Sequence, residues 1–266
     1  WSFLLYRLPS VTPPFLFAIA QLLVEELSVD SAGYGQVTKA FQFRVEFLYD
    51  FVSIGFGNAQ FLRHFIDPHK RLFFCHTQKY LPFLAVMKER GWRVKAIEKS
   101  PQARSFAKEH FELDVDTEDA LAGYADHSFD AITLWHVMEH LEHLNETWEK
   151  LFKLLKERGV LIVAVPNPSS YDAEKYKEWW AAYDVPRHLW HFTPSVMQQF
   201  GVKHGFKLAE QHPMPFDAFY VSMLTERYKG SRLSFLKGMW TGLLAWFSSL
   251  AKKERSSSMI YVFRKK

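Results

Sequence analysis

The chain of 266 residues holds a single cysteine, Cys75. That excludes a disulfide framework and any zinc site built from cysteine pairs, and it fits a reducing compartment. No run of apolar residues reaches the ~18 needed to cross a bilayer. The longest N-terminal one, 15–24, is short and lacks the basic flank of a secretion signal, so the expected location is cytoplasmic. The histidines match no linear zinc pattern, so no metal site is expected. Acidic residues are scarce at the C-terminal end. Residues 232–266 carry eight Lys and Arg against one acid, Glu254. The net charge of +4 therefore belongs to the tail, and the first 231 residues are net negative. Glycine is missing from a place where it matters, considered below.

What the sequence does have is alternation. Residues 131–134 form a short apolar run entered through Asp130, which reads as a buried strand. It leads directly into Trp135, His136, Val137, Met138, Glu139 and His140. A helix follows, with Trp148, Leu151, Phe152 and Leu155 at i, i+3, i+4, i+7, running to Gly159 as its stop. Residues 160–165 are a second buried strand, closed by Pro166-Asn167-Pro168. Upstream, 71–75 and 93–97 read as strands, and helices begin near Pro82 and at Ser100-Pro101, the latter with Ser as N-cap and Pro at N1. Downstream, 195–206 reads as a helix, and 207–211 and 258–264 as late strands. This spacing predicts an α/β fold, a doubly wound, mostly parallel sheet with helices on both faces. Residues 1–47 are expected to be a helical extension and 48–266 the main domain, with 169–194 as a loop over the sheet and 232–255 as an amphipathic helical insertion.

Four stretches, FLAVMKERGWRVKAIEKSP, SFDAITLWHVMEHL, LIVAVPNP and DVPRHLWHFTP, together resemble a class I S-adenosylmethionine-dependent methyltransferase of the small-molecule, ubiquinone-biosynthesis O-methyltransferase-like branch. The resemblance covers residues 83 to about 200. It implies S-adenosylmethionine as cofactor and methyl transfer to a small or lipid-like acceptor, through oxygen. An acid at the end of the second strand, Glu98, can accept both ribose hydroxyls. The resemblance further implies Asp116 and Thr117 at the adenine and Trp135 and His136 beside the methionine moiety, where an indole face would attract a sulfonium by ~0.5–2 kcal/mol. Removing a hydroxyl proton calls for a base, for which His136, His188 and His191 are the candidates.

The missing glycine bears on the same site. Ahead of the helix near Pro82, where the family carries a glycine-rich cofactor loop, the chain reads FFCHTQKYLP. The similar text lies earlier, in SIGFGNAQFL, making Gly55 and Gly57 the candidate cofactor glycines. Two readings follow: an active enzyme with an inserted unit, or a catalytically inactive methyltransferase-like scaffold. An NAD-linked enzyme is disfavoured, because no G-x-G-x-x-G precedes a helix. For 232–255, packing on the domain or on a dimer partner competes with a peripheral membrane contact. No nucleic-acid motif accompanies the basic tail, and no nucleic-acid partner is expected.

Overall fold

A computed structural model describes residues 71–75 and 81–266. The expected helical extension 1–47 and the candidate glycines Gly55 and Gly57 lie outside the described residues.

Among the described residues, a seven-stranded sheet runs in the order β3-β2-β1-β4-β5-β7-β6. Its strands are β1 (Arg71–Cys75), β2 (Arg93–Ile97), β3 (Val115–Asp116), β4 (Phe129–Trp135), β5 (Leu155–Pro166), β6 (Phe206–Met214) and β7 (Ser258–Lys265). The first five are parallel, and β7 enters antiparallel between β5 and β6. The strand order reverses between β1 and β4, which opens a crevice at their carboxyl ends.

The connecting helices form where sequence periodicity predicts them. In α1 (Leu81–Glu89), Phe83, Leu84 and Met87 are buried, and Gly91 takes φ 86° to turn the chain into β2. In α2 (Pro101–Phe111), Ser100 Oγ accepts the Ala103 N–H at 3.3 Å, and Ala103 and Ala107 face the sheet. A single turn, α3 (Ala120–Gly123), precedes β4. In α4 (Leu144–Leu154), Trp148, Leu151 and Leu154 are buried. Trp148 is fully enclosed, with Phe200, Phe206 and Phe263 edge-on at 5.0, 5.5 and 5.5 Å.

The helix expected to run to Gly159 ends at Leu154 instead, and β5 begins at Leu155. Lys156 leaves the helical face and pairs with Asp130 of β4 at 2.7 Å. The pairing of β4 with β5 shifts register between Phe129 and Ala131. Gly159 lies within that stretch because a Cβ there would meet the Leu155 side chain at 2.7 Å.

After β5 come α5 (Tyr171–Tyr176), α6 (Pro194–Lys203), then beyond β6 α7 (Asp217–Tyr228) and α8 (Ser234–Ala251). Thr193 caps α6 through the Val196 N–H. The segment before it is anchored by buried polar groups. Asp172 Oδ2 accepts from Trp180 Nε1 and from Ser257 Oγ, both at 2.7 Å, and Asn167 Nδ2 donates to the carbonyls of Glu254 and Ser256. Burial pushes the Asp172 carboxyl above its ordinary value, against the pull of the Ser257 and Trp180 hydrogen bonds.

Candidate functional site

A cavity of about 620 Å³ lies at the carboxyl ends of β2 and β4. Ile97, Glu98, Leu134 and His136 come from those strand ends, Thr147 and Leu151 from α4, and Arg187 from the segment between α5 and α6.

Glu98 follows β2 directly. Its backbone N–H donates to the Asp116 carbonyl at 3.1 Å, and Arg104 Nη1 donates to the carbonyls of Glu98 and Lys99, both at 2.8 Å. The carboxylate is thus fixed from behind. Oε1 accepts the Ser100 N–H at 2.8 Å, while Oε2 is buried with no hydrogen-bond partner among the described residues. Burial pushes the carboxyl up, opposed by the Ser100 N–H and the Arg104 charge. A buried acceptor lacking a donor is costly unless a ligand completes it. A vicinal diol supplies the donors this oxygen lacks.

The other expected cofactor residues fare differently. Asp116 is not part of the cavity wall. It accepts the Tyr124 hydroxyl at 2.9 Å and sits 3.8 Å from Lys95, on the far side of β2. Thr117 contributes its carbonyl to the turn that starts α3, taking the Ala120 N–H at 3.1 Å. The acid that does reach the cavity is Glu118, two residues on, 3.8 Å from Lys99. A run with acids at 114, 116, 118 and 119 does not reveal which one faces in. Trp135 is fully buried against Phe83, 5.7 Å between ring centroids, and is absent from the cavity wall. Its indole is part of the core.

His136 lines the cavity. It adopts φ 51°, with its N–H held by the Ala164 carbonyl at 2.9 Å. This left-handed turn at the strand end swings the ring between two carboxylates, with Nδ1 3.3 Å from Glu139 Oε1 and Nε2 3.6 Å from Asp217 Oδ2. Burial acts to lower its pKa, yet pairing with Asp217 and Glu139 outweighs it and lifts the value to about 9. A pKa raised this way favours the imidazolium form of His136 at neutral pH.

His188 is neutral, its pKa lowered chiefly by burial against the opposing Glu139 charge. Nδ1 lies 2.8 Å from the Ala182 carbonyl. It does not line the cavity but meets His140, which does, at 4.6 Å between rings. His191 is exposed, its Nε2 3.1 Å from the Tyr183 carbonyl, and takes no part in the cavity. His140 has Nδ1 3.0 Å from the Arg187 carbonyl. A carbonyl accepts only, so Nδ1 donates in this contact. Two further hydrogen bonds fasten the same segment: the Leu189 N–H to the Glu139 carbonyl at 2.8 Å, and Trp190 Nε1 to the Leu141 carbonyl at 2.7 Å. These hydrogen bonds fasten DVPRHLWHFTP to the turn after β4.

Asp217 and Glu139, which contact His136, and His140, which lines the cavity, are residues that sequence reasoning did not select. Asp217 opens α7, remote from every motif, and no local signal points to it. Glu139, His140 and His188 each bring one ligand atom to within 4.8 Å of one another, a set that could hold a metal ion. Linear spacing misses this group because His188 arrives from a separate segment, so the spacing argument against a metal site does not carry over to three dimensions.

A sheet of this order, with an acid after the second strand at a carboxyl-edge cavity, is the architecture of a class I S-adenosylmethionine-dependent methyltransferase. The comparisons agree. Residues 75–211, just over half of the chain, match the family model described as "Methyltransferase domain", and the chain belongs to that family. The fold resembles a SAM-dependent methyltransferase from Archaeoglobus fulgidus at 16% identity and TM-score 0.51, covering 77% of this chain and 91% of that one. It also resembles the [4+2]-cyclase SpnF at 15% identity and TM-score 0.55, covering 84% of this chain and 82% of that one. Identities this low speak for fold alone. No curated protein matches the chain significantly.

Proposed function

We propose that this chain methylates an acidic hydroxyl, phenol-like or enol-like, on a small or lipid-like acceptor, in the manner of the ubiquinone-biosynthesis O-methyltransferase branch. The observation that carries the reading is the polarity of the cavity. One end offers the unpartnered Glu98 Oε2; the other holds the His136 imidazolium and Arg187 beside His140.

Bound S-adenosylmethionine supplies an electrophilic methyl group on a sulfonium. Glu98 accepts the ribose hydroxyls. At the opposite end, Arg187 stabilises a developing oxyanion, which lowers the acceptor's pKa, while the His136 imidazolium offsets the Glu139 and Asp217 charges beside it. His140 Nε2 takes the hydroxyl proton, and Asp217 with Glu139 keeps His136 charged. The acceptor oxygen would gain the methyl as the methyl–sulfur bond breaks, with S-adenosylhomocysteine leaving and the proton on His140 returning to water. Holding the reactants in line accounts for most of the rate.

A second reading, a scaffold that does not turn over, is favoured by one observation. Residues 76–80, which join β1 to α1, read HTQKY and contain no glycine for close backbone approach. Isothermal titration with S-adenosylhomocysteine separates the two. Binding that Glu98→Ala weakens about tenfold or more supports the enzyme. Absence of binding by the intact chain overturns it and leaves the scaffold.

A further inference from the structure

Helix α8 is packed inside out. Its buried residues are Gly238, Thr241, Gly242, Ala245 and Ser249, all small or polar. The contact with α7 is so close that a Cβ at Gly238 would lie 2.5 Å from Met223 Cα, and one at Gly242 2.7 Å from Phe219 Cα. Its large apolar residues point the other way. Leu233, just ahead of the helix, and Leu236, Trp240, Phe247 and Leu250 are each more than half exposed. They follow one another at intervals of three, four, seven and three residues, which places them on one face. A helix facing water on that side would be expected to bury this stripe and expose the small polar one. The arrangement is that of a helix whose outer neighbour is apolar, and small residues at a tight helix contact are what such surroundings favour.

Charge identifies the neighbour. From Arg227 to Lys253 there are six Lys and Arg and no acid, and all six are exposed. A second copy meeting this face about a twofold axis would set cations against cations, with no carboxylate in the segment to pair them. A bilayer with anionic headgroups satisfies both features: acyl chains take the apolar stripe, and headgroup phosphates take the flanking cations. Among the described residues no helix is long and apolar enough to cross a membrane, so α8 would lie in the plane of the interface.

We propose that α8 is the surface by which this protein docks on an anionic membrane. The proposal stands independently of the reaction assigned above, because neither the stripe nor its cations line the cavity. It also fixes an orientation. Helix α7, on which α8 packs, begins at Asp217 in the site, so the membrane-facing helix is one layer away from the residue that charges His136.

The test is co-sedimentation of the full chain with vesicles of phosphatidylcholine, alone or with phosphatidylglycerol added. The intact protein should pellet with the anionic vesicles and be released as salt is raised. The triple variant Leu236→Ser, Trp240→Ser, Phe247→Ser changes exposed positions only, and its folding is checked by circular dichroism. It should lose about tenfold or more in partitioning. Lys237→Glu with Lys252→Glu and Lys253→Glu should lose the preference for anionic over neutral vesicles. No binding by the intact chain, or unchanged binding by the serine variant, overturns the proposal. So does light scattering that shows a dimer for the intact chain and a monomer for the serine variant, which assigns the face to a second copy.

Discussion

Asp217 Oδ2 lies 3.6 Å from His136 Nε2, joining the first residue of α7 to the residue after β4 across 81 positions of sequence. With Glu139 on the other ring nitrogen, this contact favours the imidazolium form of a histidine that reads as a base. The first prediction is spectroscopic. In an imidazole NMR titration His136 should titrate near 9, and Asp217→Asn, which removes one of two raising partners, should move it down. A wild-type value at the ordinary 6.5 would sink the assignment.

The same shift governs stability against pH. A folded-state pKa raised above the unfolded value contributes stability that is fully present below about 6.5 and lost as pH rises through about 9. The amount is on the order of 3 kcal/mol. Thermal midpoints should therefore fall from pH 6.5 to 9.5, and His136→Gln should flatten that slope whatever it does to the midpoint itself.

Asp116 and Glu98 should separate cleanly in ligand titrations. Asp116 is engaged by Tyr124 and Lys95 outside the cavity. Asp116→Asn should leave S-adenosylhomocysteine affinity within about twofold of the parent, as expected for a site with no shared partners. Equal losses for Asp116→Asn and Glu98→Ala would show that the acidic loop is placed differently.

Gly238→Ala tests the α7–α8 contact. The added methyl meets the Met223 backbone at 2.5 Å, which cannot be relieved by a rotamer change. Overpacking of this kind costs roughly 1–3 kcal/mol, seen as a lower urea midpoint at constant slope.

Trp148→Ala should cost about 3–5 kcal/mol, because three phenylalanine rings close around an indole with no solvent exposure. A small effect in urea denaturation would mean that this aromatic cluster is not the core it resembles.

How far the sequence reaches differs from element to element. Ser100-Pro101, Gly91 and the apolar stripe of α1 are local signals, and each marks its element where the structure has it. The β4 strand, the position of Glu98 after β2 and the DVPRHLWHFTP loop follow from alternation and spacing, so the α/β architecture and one end of the site were legible. The end of α4 was misread because Gly159 looks like a helix stop, whereas long-range pairing with β4 draws the chain into a strand at Leu155. Trp135 and His136 are adjacent in sequence but alternate in direction, so one seals the core while the other enters the cavity. The sequence by itself determined the class of fold and the place of Glu98 at the end of the second strand, since both follow from the short-range alternation of strands and helices. Tertiary structure decided the charge of His136, the identity of its partners and the outward turn of α8's large residues, since each depends on groups far apart in the chain.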